Sequence, residues 1–258
     1  MSFINLKVEN GVGIITLNRP EKFNSFVREM ALDFQLSLDT CEKNSLVRAI
    51  LITGEGKAFC AGQDLAEAID PNQTSLSKIV EEHYNPIIIR FRKIEKPIIC
   101  AVNGVAAGAG ANIALACDIT LAAKSASFIQ AFSKIGLIPD SGGTYTLPRL
   151  IGLQKAAALM FLGEKVSADD AEKMGMIYKS VSDEDLQSEA MKIATTLAKM
   201  PTKGIGLTKR LLNESFNNTL SSQLDLEGDL QTLAGNTYDY NEGVRAFLEK
   251  RQPIFKGE

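Results

Sequence analysis

The chain has 258 residues, is 45% hydrophobic, and carries 28 Lys and Arg against 31 Asp and Glu, a formal charge of −3. That is enough apolar material for one large domain, or a domain with a small appendage. The acidic balance and the lack of any Lys/Arg-rich run exclude an electrostatic footprint for nucleic acid or an anionic membrane.

In chain order the pattern alternates strand and helix. Residues 4–8 alternate apolar and polar, Asn10-Gly11 is a hairpin signal, and residues 13–18 read as the returning strand. Asn24 or Ser25 is placed to cap a helix with Phe26, Met30, Phe34, Leu38 and Cys41 at helical spacing. Residues 47–53 form a strand, and 57–65 (KAFCAGQDL) a small-residue loop. Residues 75–94 predict a long helix bent at Pro86, and 98–102 a buried strand. A Gly/Ala-rich turn then runs into a tightly packed helix over 103–118, followed by a strand over 119–123. The run 98–123 is apolar, but Asn103, Gly104, Asn112 and Asp118 interrupt it, which rules against a membrane span. A helix over 147–162 closes at Gly163, and Ser167 with Asp170 makes a capping-box start for a short helix ending at Gly175. Amphipathic helices follow at about 183–199 and 203–216, and a helical tail at about 219–251. Repeated units of this kind argue for an α/β class. The expected division is a core over 1–200 and a helical region over 201–258 for oligomer contacts. The start of the chain has neither a basic segment nor a long apolar one, so no signal peptide is expected. Cys41, Cys60, Cys100 and Cys117 lack metal-ligand spacing and read as free thiols of a reducing compartment, the cytoplasm.

Chemistry has few places to sit. The single histidine, His83, precludes a His-based metal cluster, so no metal is expected and carboxylates and backbone amides remain. In the stretch 132–149 (FSKIGLIPDSGGTYTLPR), an apolar segment expected to be buried stops at Pro139, Asp140 and Ser141 follow, and a helix begins near Thr144. Asp140 there suits acid–base work, and equally a plain turn or cap. The loops at 60–64 (CAGQD) and 107–111 (AGAGA) let a ligand approach backbone N–H groups closely. The second also opens a helix, so its amides lie at a positive dipole end. Two such amides aimed at one oxygen make an oxyanion hole; close helix–sheet packing would need the same small residues. A dinucleotide fingerprint is discounted, because Ile113 stands where the third glycine belongs.

The ordered motifs KAFCAGQDL (57–65), AVNGVAAGAGANIALACDI (101–119), FSKIGLIPDSGGTYTLPRLIG (132–152) and EGVRAFLEKR (242–251) resemble the enoyl-CoA hydratase/isomerase (crotonase) superfamily over essentially the whole chain. The resemblance implies a spiral of strand–strand–helix units with a helical C-terminal region, assembled as a homotrimer or a dimer of trimers. It implies an acyl-CoA thioester as substrate, coenzyme A being part of that substrate and no separate cofactor being needed. Matching positions give the amides of Gln63 and Ala109 as oxyanion hole, and Lys22, Ala61 and Asp64 near the adenine and phosphate end of coenzyme A. Phe247 and Lys250 stand where relatives reach the coenzyme A of a neighbouring subunit. Hydratases of the superfamily carry two glutamates; here those positions are Asn112 and Phe132, which are expected to line the acyl pocket. Asp140 stands where isomerases carry their acid/base. A proton-shuttling isomerase is therefore the expectation. The alternatives are a straight-chain Δ3,Δ2-enoyl-CoA isomerase sharing the same residues, a hydratase, and a non-catalytic RNA- or acyl-CoA-binding protein on the same fold.

Overall fold

The computed structural model describes residues 2–70 and 75–258. Strands β1 (Ile4–Glu9) and β2 (Val12–Leu17) pair antiparallel, and Asn10 and Gly11 between them take φ of 52° and 79°. Two positive φ values are what a type I′ turn demands, and Asn-Gly adopts them at low cost.

From β2 onward the chain follows one rule. Strand β3 (Ala49–Gly54) joins β2 in parallel and is followed by β4 (Ala58–Cys60) in a second sheet. The same step repeats with β5 (Ile98–Val102) and β6 (Val105–Ala107), then with β7 (Ile119–Ala123) and β8 (Ser127–Ile129). Strands β9 (Lys165–Ser167) and β10 (Lys179–Val181) complete a four-stranded sheet β4-β6-β8-β9 and a six-stranded sheet β1-β2-β3-β5-β7-β10. Each turn of the chain thus adds one strand to each sheet, which generates a spiral. Strands β3 and β5 are buried at every position, so AILITG and IICAV read as continuous small and apolar runs rather than alternating ones.

The helices cover these sheets. Helix α1 (Arg28–Lys43) buries Met30, Phe34, Leu38 and Cys41. The short α2 (Leu65–Ala68) precedes α3 (Leu76–Lys78), which runs through π-helical turns at Ile79–Tyr84 into α4 (Asn85–Lys93). Pro86 follows directly on the π-helical turns, whose wider i→i−5 pattern, as in Asn85 N–H to Val80 O, marks where the helix departs from α geometry. Phe34 meets Phe26 and Phe91 edge-to-face at 5.9 and 6.1 Å, which ties α1 to α4. Helix α5 (Ala109–Ala116) is buried at every residue. Then come α6 (Gly143–Ile151), α7 (Leu153–Leu162), α8 (Ala168–Lys173) and α9 (Leu186–Ala198). The C-terminal helices are α10 (Thr202–Glu214), α11 (Leu220–Gly235) and α12 (Tyr238–Leu248). Among the described residues no helix is long and apolar enough to cross a membrane.

Polar contacts lock the C-terminal part to the rest. Lys209 on α10 reaches Asp118 at 2.7 Å, and Asn213 donates to the Arg92 carbonyl. Arg48 donates to Met200 O, Thr202 Oγ1 and Phe255 O, stapling the chain end onto the core. Buried Glu242 accepts from Arg251, Arg245 and the Ile254 N–H, while Asp239 accepts from the amides of Lys256 and Gly257.

Three expectations are corrected. Neither Asn24 nor Ser25 caps α1. Asn24 is instead buried at φ 54°, its amide taking the Arg19 N–H and donating to the carbonyls of Glu55 and Ala58. The segment Ile135–Ile138 is exposed in the single chain, with Ile138 at 83%, rather than buried. The single helix expected over 147–162 is two, broken at Gly152, whose φ of 79° and ψ of 158° no helix contains.

Candidate active site

Asp140 opens a tight turn. Gly143 N donates to Asp140 O at 2.9 Å, and the central residues Ser141 and Gly142 have φ of 49° and 70°, a second type I′ geometry. A left-handed serine is uncommon and holds only where its surroundings over-determine it. Here Ser141 is buried, and its hydroxyl donates to Asp140 Oδ1 at 2.8 Å. Ile88 of α4 packs on Gly142 from the other side.

An amide relay holds the turn from below. Asn112 Nδ2 donates to Asp140 O at 2.9 Å, and Gln130 Nε2 donates to Asn112 Oδ1 at 2.8 Å. The direction follows from the acceptor-only carbonyl at one end: Asn112 must present its nitrogen there, so its oxygen faces Gln130. Gln130 Oε1 is left without a partner among the described residues. Gly143 is required for this fit, because a Cβ on it would lie 2.3 Å from Asn112 Nδ2. Asn112 therefore stands beside the acid turn with both amide ends engaged. Burial raises the Asp140 pKa above the ordinary carboxylate value, and the Ser141 hydrogen bond offsets this only in part.

Two unused peptide N–H groups lie on loops that touch. Phe26 N donates to Gly62 O (2.7 Å) and Asp64 N to Phe26 O (2.8 Å), forming a one-residue parallel bridge. In such an extended segment the intervening N–H, that of Gln63, points to the opposite edge. Gly62 has φ 92°, and a Cβ on it would meet Ala107 O at 2.9 Å and Ala109 N at 3.4 Å, so the two loops touch. Ala109 is the first residue of α5, where an N–H lacks an intrahelical acceptor and the dipole is positive. Neither the Gln63 nor the Ala109 N–H is used in a hydrogen bond among the described residues. The Phe132 ring closes over Gly108, 3.7 Å from where its Cβ would be. Chemically, this is a carboxyl able to carry a proton, two donors free for one oxygen, and an apolar wall.

Among the other expected residues, Lys22, Ala61 and Asp64 come together. Ser25 N donates to Lys22 O, Ala61 N donates to Phe23 O, and Asp64 pairs with Arg19 at 2.7 Å while capping α2 through Ala66 N. Burial alone would raise the Asp64 pKa, but Arg19 and the Ala66 N–H outweigh it and hold the carboxylate below its ordinary range. Phe247 and Lys250 share no hydrogen bond with Asp140, Gln63 or Ala109; Phe247 is 82% exposed on α12 beside an apolar hollow formed with Val244 and Phe255. The segment between α2 and α3 includes residues 71–74, which lie outside the described residues.

Sequence reasoning missed Arg19, Tyr84, Glu67 and Gln130. All four act through hydrogen bonds to residues distant in sequence, and no local spacing signals such contacts. His83 is fully buried, as a packed residue would be, and burial lowers its pKa. A cleft of about 410 Å³ between α5, α6 and α10 lies elsewhere, and its one carboxylate, Asp118, is already paired with Arg92 and Lys209.

Compared with known proteins, residues 7–258 match the family described as enoyl-CoA hydratase/isomerase. The chain is 51% identical, over the full length of both proteins, to 1,2-epoxyphenylacetyl-CoA isomerase of Escherichia coli K12. It is 35% identical to trans-2-decenoyl-[acyl-carrier-protein] isomerase of Streptococcus mutans, with 97% of each chain covered. A crystal structure described as a putative enoyl-CoA hydratase/isomerase from Mycobacterium abscessus superposes with a TM-score of 0.93 at 35% identity, covering 99% of this chain and 100% of that one.

Proposed function

Because the chain belongs to the enoyl-CoA hydratase/isomerase family, we propose that it isomerises 2-(1,2-epoxy-1,2-dihydrophenyl)acetyl-CoA to the oxepin thioester. Asp140 is the single proton carrier, and the Gln63 and Ala109 amides are the oxyanion hole. The observation that supports this reading is the half-buried carboxyl of Asp140 on its tight turn, with an amide at position 112 and a phenyl ring at 132. Adding water across a double bond calls for groups that activate the water and return its proton. Neither an amide nor a phenyl ring exchanges protons at neutral pH.

One carboxylate suffices for the isomerisation. In the ring-expanded form of the epoxide, a double bond lies β,γ to the thioester. Asp140 removes a proton from the α carbon, and the electron pair runs into the carbonyl to give a dienolate whose oxygen the two N–H groups hold. Asp140 then delivers that proton to the γ carbon, and the pair returns as an α,β double bond. No atom is gained or lost, and Asp140 ends as it began. Each oxyanion donor contributes about 2.7–4 kcal/mol to such a step. A raised carboxyl pKa makes the protonated state easier to reach, as suits a group that must both take and give a proton.

In this reading Lys22, Ala61 and Asp64 lie along the adenine and phosphate end of coenzyme A. Phe247 and Lys250 serve the substrate of a neighbouring subunit, in a homotrimer or a dimer of trimers in the cytoplasm. Exposed Phe161, Phe247, Leu248 and Leu153, each above 70%, support assembly, since monomers rarely leave so much apolar surface open. No further cofactor and no nucleic acid enter the reaction.

The Streptococcus mutans relative favours a second reading, isomerisation of straight-chain Δ3-enoyl thioesters, which is the same β,γ-to-α,β shift with the same residues. A substrate panel decides. Oxepin thioester formation well above trans-3-enoyl-CoA conversion is expected. The reverse order gives the straight-chain enzyme, and rapid hydration of crotonyl-CoA without isomerisation overturns both.

A further inference from the structure

The Gln63 side chain is gripped at both ends. Its Nε2 donates to Glu67 Oε2 at 2.7 Å, and its Oε1 accepts from the Tyr84 hydroxyl at 2.8 Å. Glu67 is itself anchored, its other oxygen accepting the Arg28 N–H at 2.9 Å. Chemistry sets the direction of this chain. A carboxylate only accepts, so the amide nitrogen must face Glu67, its oxygen is left to Tyr84, and the hydroxyl must donate.

Tyr84 is fully buried and packs at 5.9 Å against Phe26, the residue whose main chain brackets Gln63. Phe26 therefore holds Gln63 by its backbone, while Tyr84 holds it by its side chain. Without the second grip the peptide carrying the Gln63 N–H is fixed along one edge only. It also follows Gly62 at φ 92°, a backbone position with few steric limits. Rotation about that peptide would swing the N–H away from the Ala109 N–H beside it.

We infer that Tyr84 is a positioning residue that aims the Gln63 N–H at the substrate carbonyl through the Gln63 side chain, with Glu67 as the anchor that fixes the direction of the amide. This rests on the reading of the Gln63 N–H as an oxyanion donor. It also couples two parts of the site. Tyr84 ends the π-helical turns that lead directly into α4, and Ile88 on α4 packs against Gly142 of the Asp140 turn. One helix thus supports both the group that moves the proton and the group that receives the charge.

The test uses Tyr84→Phe, which keeps the ring and its packing on Phe26 and removes one hydroxyl. The probe is phenylacetyl-CoA labelled with ¹³C at the thioester carbon, which has no double bond placed to migrate. In the wild type, binding shifts the carbonyl ¹³C resonance downfield and lowers its stretching frequency. In Tyr84→Phe at least half of each shift is lost. Isomerase kcat falls about tenfold with KM within about twofold, less than the roughly 10²–10³-fold of deleting a donor, because the N–H is misaimed rather than absent. Glu67→Gln, which lets the amide turn over, gives the same split even if Tyr84→Phe packs poorly. Undiminished carbonyl shifts in both folded variants overturn the inference, as does a rise in KM at constant kcat. Carbonyl shifts that fall in the variants of a wild type without isomerase activity leave the positioning role standing and refute the proposed reaction. A wild type that shows no binding-induced shift refutes the donor reading and this inference together.

Discussion

Asp140→Asn separates proton transfer from structure. The variant keeps the shape of the side chain and an oxygen to accept from Ser141 Oγ, now at 2.8 Å. The bonds from Gly143 N and Asn112 Nδ2 go to the main-chain carbonyl and are untouched. Only the capacity to bind and release a proton disappears. A positioned acid–base group contributes roughly 10²–10⁴-fold. In the proposed shuttle Asp140 is used twice in each turnover, so the loss is expected near the upper end, about 10⁴-fold or ~5.4 kcal/mol of barrier. Stability moves the other way. Burial raises the folded pKa of Asp140, so its ionisation costs the fold something that is absent below the unfolded pKa and appears as pH rises through the folded one. Asparagine carries no such cost, and at neutral pH the variant should melt no lower than the wild type. The assay follows conjugation of a β,γ-unsaturated acyl-CoA by absorbance, deuterium entry at the α and γ carbons by NMR, and a thermal melt on the same samples. For the wild type, kcat/KM should fall at acid pH with a midpoint above the ordinary aspartate range; any residual activity of the variant should lack that limb. An asparagine variant within about tenfold of wild-type turnover would refute the shuttle, since a positioned acid–base group is worth more than that. A variant that melts far lower would attribute the loss to the fold.

Three further outcomes are expected. Gly143→Ala puts a methyl 2.3 Å from Asn112 Nδ2, so the relay under Asp140 must shift, costing about 1–3 kcal/mol in urea unfolding and lowering kcat; full activity would mean that the relay is dispensable. Asn112→Glu restores a carboxylate at a hydratase position but sets it against the Asp140 carbonyl and the Gly143 backbone. It should lose isomerase turnover without gaining crotonyl-CoA hydration, and appreciable hydration would contradict this. Glu242→Gln should expose the chain end to protease at neutral pH. The hydrogen bonds from Arg251 and then Arg245 lower the Glu242 pKa, so its contribution is present above the unfolded glutamate value and is lost as pH falls. The difference in cleavage between wild type and variant should therefore shrink in acid.

What could be read beforehand was what local chemistry dictates. Asn10-Gly11 announces its turn because few residues accept two positive φ values, and β3 and β5 announce themselves as apolar runs of strand length. Strands β4, β6, β8 and β9, three residues each, carry no periodicity and exist only because the spiral brings them side by side. Asn24 looked like a cap because Asn caps helices, but three backbone partners from distant loops compete for its amide more effectively. The apolar run at Ile135–Ile138 reads as core, yet it is exposed in the single chain, because hydrophobicity alone does not fix which segment meets solvent. In the site, Asp140, Gln63 and Ala109 were accessible from motif and loop composition. Tyr84, Glu67 and Gln130 were not, because hydrogen bonds between residues 18 to 39 positions apart leave no mark on spacing.

The approach of α5 to β4 has a mechanical consequence. A Cβ on Gly110 would lie 2.3 Å from Cys60 O, so the helix rests on the strand end atom against atom, and the loop of Gly62 rests in the same way on Ala107 and Ala109. Repulsive walls are steep, whereas hydrogen bonds lengthen readily on warming. The approach of the two loops is therefore limited by backbone contact, while the aim of the Gln63 N–H is left to its side-chain hydrogen bonds. A side chain at Gly110 would push α5 off the strand end and part the two loops, whatever the hydrogen bonds around them.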